Sequence, residues 1–172
     1  MRMSVLKFQI EQQAKDQWCW AAVAASICGF YQDDAVTTQC GLANQFLFPG
    51  EDCCQPDASD NCNIPFAIDI VLNQLRHLVR SQSGVVEFED LDHEITVSQQ
   101  PVVVRIMFSD MITAHFVVVI GSALDDSGTQ VLKVADPSGA TGNVTSIGYT
   151  TLKNDYRPGA TWDQTYFTAK KA

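Results

Sequence analysis

The sequence predicts an α+β fold, and three observations carry that prediction. The chain changes character near residue 80. Before it, the run Cys19–Tyr31 (CWAAVAASICGFY) is alanine-rich and apolar nearly all round, the pattern of a buried helix. After it, Pro101–Phe108 (PVVVRIMF) and Ala114–Leu124 are β-branched runs, the second ending in an Asp125-Asp126-Ser127-Gly128 hairpin signal. Helices followed by strands, rather than alternating with them, favour segregated layers and an antiparallel sheet.

The elements follow in order. Ala35–Leu47 reads as a weaker amphipathic helix. Phe48–Asn63 holds Pro49, Gly50, Pro56, a Cys53-Cys54 pair and several aspartates, and so reads as a loop. After Pro65, residues Phe66, Ile68, Val71, Leu72, Leu75 and Leu78 recur at helical spacing. Val85–Phe88 is a short strand, and Asp90–Gln99 a short helix or turn. Pro101–Phe108 and Ala114–Leu124 are strands, and the hairpin leads into Val131–Ala135. Two weaker strands, Asn143–Tyr149 and Thr161–Thr168, complete the set. No internal repeat or low-complexity tract is present.

With 172 residues, the chain is long enough for one domain with its own core. Hydrophobic residues make up 46% and charged residues 18%, which excludes global disorder. A net charge of -9 makes nucleic acid and anionic membrane surfaces poor partners, because the phosphate attraction turns repulsive. No apolar run reaches bilayer-spanning length, and Met1–Gln13 lacks the continuous apolar core of a Sec signal.

Cysteines stand at 19, 28, 40, 53, 54 and 62. No Cys-x-x-Cys pair occurs and only His77 is near, so no metal site is expected. Cys28 reads as a small core residue. Cys40, Cys53, Cys54 and Cys62 border the loop and are candidates for disulfides; three pairings are open, that of the adjacent Cys53 and Cys54 being disfavoured. His77 and His93 read as ordinary surface residues.

Chemistry concentrates in Gln13-Ala-Lys-Asp-Gln-Trp18-Cys19-Trp20-Ala21-Ala22. A cysteine in the first turn of a buried helix meets a partial positive charge and free N–H groups, which favour a thiolate and an oxyanion formed by its attack. The Gln13 amide is a candidate second oxyanion donor. His115 opens the apolar strand HFVVVIG, and Asp136-Pro137 ends the next. Equal chain lengths on either side of the hairpin predict His115 directly opposite Asp136, as proton carrier and orienter. Trp18 is a candidate for lining the substrate cleft, and Trp20 for packing the molecule together.

Gln-x5-Cys-Trp-Ala, then His on a strand, then Asp resembles the papain-like cysteine proteases. The WCWAA, HFVVVIG and DP segments are most similar to a bacterial branch that includes effector proteases and bacteriocin leader peptidases. The resemblance implies a single papain-like domain over 1–172, a helical lobe of about 1–80 and a β lobe of about 81–172. It implies Cys19 as nucleophile, His115 as general base and acid, Asp136 as orienter and Gln13 as oxyanion donor, with no cofactor. Three departures stand out: Asp16 occupies the position of a family cysteine, the Cys19–His115 spacing is shorter than the ~130–150 residues of papain and cathepsins, and the orienter is Asp rather than Asn. The expected function is hydrolysis of a protein or peptide substrate through a Cys19 thioester, in an effector or toxin exported by a dedicated secretion system. A peptidoglycan amidase or deamidase on the same fold is the alternative, and a non-catalytic binding module the third reading.

Overall fold

A computed structural model describes residues 3–33, 35–139 and 143–171. The elements are β1 (Ser4–Val5), α1 (Cys19–Tyr31), α2 (Gln39–Leu47), α3 (Ile68–Gln74), β2 (Leu78–Ser83), α4 (Phe88–His93), β3 (Val102–Met107), β4 (Ala114–Leu124), β5 (Gln130–Asp136), β6 (Asn143–Gly148), α5 (Tyr149–Asp155) and β7 (Thr161–Thr168). A 3-10 turn spans Asp60–Cys62 and a π-helical turn Glu94–Ser98. The strands form an antiparallel sheet in the order β2-β7-β3-β4-β5-β6, with β1 paired to β4.

α1 is buried from Cys19 to Cys28 and packs against β4, α2 and α3. Its alanines let the helix axis approach its neighbours closely, which explains a helix with no polar face. β4 is buried along nearly its whole length and so has no solvent face; that is why it reads as an unbroken apolar run rather than an alternation.

The β4–β5 register is interrupted at Ile120. On one side Val118 and Val119 pair with Ala135 and Val134; on the other, Gly121 pairs with Lys133. Ile120 is the extra residue of a β-bulge, and its carbonyl accepts the Leu6 N–H at 2.8 Å. The hairpin loop also holds five residues, Asp125 to Thr129, between paired Leu124 and Gln130. The predicted face-to-face placement of His115 and Asp136 is therefore corrected. Asp136 continues the register level with Val117, two residues along from His115 and on the same face.

Four further expectations are corrected. α2 begins at Gln39 rather than Ala35, because the Thr38 hydroxyl caps it by accepting the Gly41 N–H at 3.1 Å. The helix after Pro65 stops at Gln74; Arg76 has φ 65, and Leu78 starts β2 instead of a fourth helical turn. That strand is exposed on both faces and so has no apolar alternation to announce it. Val85–Glu87 is irregular chain leading into α4, and the Tyr149 hydroxyl donates to the Val86 carbonyl at 2.8 Å. His77 is not a surface residue: it is 1% exposed. α5 was not legible at all.

Candidate active site

The loop 48–63 is closed by two disulfides, Cys40–Cys54 and Cys53–Cys62. It lies against the start of α1. The Trp18 indole N–H donates to the Cys62 carbonyl, the Trp20 indole N–H to the Ile64 carbonyl at 3.1 Å, and the Gln17 N–H to Asn63 Oδ1 at 3.0 Å. The residues flanking Cys19 are thus fixed by partners from the disulfide loop and from Ile64 just after it. Trp18 is 2% exposed and, contrary to the expectation from sequence, does not line the cleft; Trp20 is fully buried and packs against Phe46 and Phe66, as expected, while also bordering the cleft.

Trp18 occupies the N-cap position of α1 with no side-chain cap, and no acidic residue stands in the first turn. The first-turn N–H groups are consequently left for another acceptor beside Cys19. Next to the sulfur lies a cleft of about 240 Å³, walled by Phe66, Ile112, Ala114, Phe116 and Tyr166. Ile112, on the exposed turn between β3 and β4, forms an apolar rim.

The structure brings Cys19, His115 and Asp136 together. His115 is 6% exposed, and its Nε2 donates to Asp136 Oδ1 at 2.7 Å. The ring also interacts electrostatically with the Cys19 sulfur, for which Nδ1 is the remaining nitrogen. Burial disfavours the imidazolium, but the Asp136 carboxylate and the Cys19 sulfur outweigh it and push His115 up to about 9.

Asp136 is a hub. Besides His115, its Oδ1 accepts the Ser138 N–H at 2.8 Å and hydroxyl at 2.7 Å. Its Oδ2 accepts the Tyr156 hydroxyl at 2.7 Å and Arg157 at 2.9 Å. Burial opposes its ionisation, yet these donors, His115 foremost, hold the carboxyl far below the usual range. Burial, together with the same carboxylate, drives the Tyr156 hydroxyl well above its ordinary value.

Sequence reasoning missed Ser138, Tyr156 and Arg157. Ser138 had a local signal, since Asp-x-Ser is a turn in which the carboxylate accepts the N–H two residues on. Tyr156 and Arg157 follow α5 and carry none.

Gln13 is held beside the strand end, where its N–H donates to the Pro137 carbonyl at 2.9 Å. Its Nε2 donates to the carbonyls of Lys15 at 3.1 Å and Asp16 at 2.7 Å, and its Oε1 is buried without a hydrogen-bond partner among the described residues. Both amide hydrogens are thus given to the loop. His93 is exposed, as expected. At the far end of α1, Cys28, Asp33 and His77 form a second cluster.

No protein-family model matches the chain, and no curated protein matches it. Among solved structures, the bromelain protease from Ananas comosus in complex with the E64 inhibitor is similar, with a TM-score of 0.43 and 13% identity over 96% of this chain and 94% of that one. No helix among the described residues is long and apolar enough to cross a membrane.

Proposed function

We propose that this protein is a papain-like cysteine peptidase that hydrolyses peptide bonds through a thioester on Cys19. One observation carries the reading: a cysteine at an uncapped helix start contacts a buried imidazole whose other nitrogen donates to a carboxylate held ionised by four further hydrogen bonds. A nucleophile, a proton carrier and an orienter in that sequence of contacts are the requirements of acyl transfer.

Cys19 attacks the substrate carbonyl carbon, and the carbonyl oxygen takes up the charge. The first-turn N–H groups of α1 stabilise that oxyanion. The His115 imidazolium gives its Nδ1 proton to the leaving amine, the C–N bond breaks, and the thioester remains. His115 then takes a proton from water, hydroxide displaces the sulfur, and the carboxylic acid leaves. Asp136 keeps Nε2 protonated throughout and so directs Nδ1 at the reacting atoms.

Gln13 is assigned as the second oxyanion donor, which requires one amide hydrogen to turn from the Lys15 or Asp16 carbonyl towards the substrate. Gln13→Ala then lowers kcat by about ten- to a thousand-fold with a smaller change in KM. Unchanged kcat with reduced thermal stability assigns Gln13 to pinning the loop instead.

The two disulfides favour an oxidising compartment, in keeping with a protein exported as an effector or toxin. The deciding experiment is a peptide-library digest by wild type and Cys19→Ala, with purified peptidoglycan in parallel. Peptide cleavage by wild type alone, with iodoacetamide labelling Cys19 ahead of Cys28, supports the proposal. Turnover of peptidoglycan without cleavage of any peptide moves the same machinery to a cell-wall amide, and turnover by Cys19→Ala removes the nucleophile.

A further inference from the structure

The end of α1 remote from Cys19 gathers donors of three kinds from three segments. α1 ends at Tyr31, Gln32 takes a left-handed conformation with φ 57, and the Asp33 N–H folds back onto the Cys28 carbonyl at 3.1 Å. This reversal carries the Asp33 carboxylate back to the Cys28 thiol. Between α3 and β2, His77 stacks on Tyr31 with ring centroids 4.9 Å apart. A ligand atom of Cys28, of Asp33 and of His77 all lie within 4.8 Å of one another.

Three details distinguish this cluster from ordinary packing. The His77 Nδ1 donates to the Ala169 carbonyl at 2.8 Å, which aims Nε2 at Asp33, 3.0 Å away; metal-binding imidazoles are commonly oriented by such a bond. Asp33 Oδ1 is buried and accepts no hydrogen bond among the described residues, a cost of about 1–3 kcal/mol unless a cation or donor meets it. A cavity of about 230 Å³, bordered by Glu11, Gln32, Val36 and Thr37, reaches Cys28 and Asp33 and supplies an entry path.

We propose that Cys28, Asp33 and His77 form a site for a divalent metal, Zn²⁺ being the best match to one sulfur, one oxygen and one nitrogen donor. Water entering through the cavity completes the tetrahedron. The Cys28 thiolate and Asp33 carboxylate neutralise the ion, and the thiol proton, with the Nε2 proton where His77 carries one, leaves to solvent. Lys171 is the competing cation: its ammonium is 3.0 Å from Asp33 Oδ2, and its side chain, 35% exposed, can turn outwards when the metal enters. No Cys-x-x-Cys spacing announces the site, because its ligands come from the end of α1, the turn after it and the segment between α3 and β2.

Cobalt titration of the oxidised Cys19→Ala protein tests the site with the catalytic sulfur removed. One equivalent of Co²⁺ should bind with a thiolate-to-cobalt charge-transfer band and tetrahedral d–d bands, and Zn²⁺ should bleach both. In that background Cys28→Ser should abolish the charge-transfer band, His77→Gln should weaken binding by about tenfold or more, and Lys171→Met should strengthen it. Absence of saturable binding, or a band that survives Cys28→Ser, overturns the proposal. Lys171→Met keeps the test decisive where Cys28→Ser fails to fold: lower thermal stability with unaltered cobalt affinity reduces the cluster to a His77–Asp33–Lys171 ion network.

Discussion

Asp136 accepts five hydrogen bonds, and the donors it meets make an amide a poor replacement for it. In Asp136→Asn, an oxygen that still faces His115 and Ser138 leaves the amide NH2 facing Tyr156 and Arg157. The Tyr156 hydroxyl can rotate and accept; the guanidinium cannot. We expect Asp136→Asn to lower kcat/KM about 100-fold, and adding Arg157→Gln to recover about tenfold of it, a coupling that a double-mutant cycle measures. Simple addition of the two losses would remove Arg157 from the positioning of Asp136. Cys19→Ala should abolish turnover while circular dichroism and Tm stay close to wild type, since a buried alanine suits the helix; residual turnover would move the nucleophile elsewhere. Cys19, His115 and Asp136 were legible because each stands at a boundary of a strongly patterned element. Arg157 was not, since a half-exposed arginine after a short helix looks like any solvated charge. The packing role of Trp20 was legible, but the place of Trp18 away from the cleft was not, because it depends on the disulfide loop folding against the indole.

The bulge at Ile120 decides whether β4 and β5 present a site at all. Were the Gly121–Lys133 register continued unbroken, Asp136 would stand opposite Val118, on the face away from His115. One inserted residue restores the parity. Gly121, next to the bulge, has no room for a side chain: a Cβ there would lie 2.8 Å from both the Lys133 Cβ and the Ser4 carbonyl oxygen. Gly121→Ala should therefore cost about 1–3 kcal/mol, lowering Tm by about 5 °C in calorimetry; a Tm within about a degree of wild type would contradict the close approach. The disulfide loop acts similarly on α1, since Cys62 offers its carbonyl to Trp18. Breaking Cys53–Cys62 with paired serines should cost about 2–3 kcal/mol and lower Tm by about 5–10 °C; an unaltered Tm would detach that bond from the fold's stability. Strand positions were legible from their β-branched runs, whereas the bulge was not, because a register depends on the partner strand. β2 and α5 escaped notice for a different reason: the first has no buried face, and the second is a seven-residue helix with two buried side chains.

Two opposed titrations place the stability maximum of the molecule on the acid side of neutrality. Asp136 is held far below its ordinary value in the fold, so its contribution is fully present above the unfolded carboxyl range, near pH 4, and is lost as pH falls below it. His115 is raised to about 9 from 6.5, so its contribution is fully present below pH 6.5 and is lost as pH rises through about 9. The net charge of -9 at pH 7 works in the same direction, because approaching the pI near 4.5 relieves self-repulsion. Thermal scans from pH 3 to 10 should give a broad Tm maximum between about pH 4.5 and 6.5. The alkaline limb should fall by about 5 °C by pH 9. His115→Ala should flatten that limb, leaving only the shallow slope due to net charge, and should show little change in the salt dependence of Tm. The buried His115–Asp136 pair is screened far less than surface charges, so added salt should reduce the net-charge slope and leave the wild-type alkaline limb in place. A limb of equal depth in His115→Ala would show that overall repulsion, and not the imidazolium between Cys19 and Asp136, sets the alkaline limit.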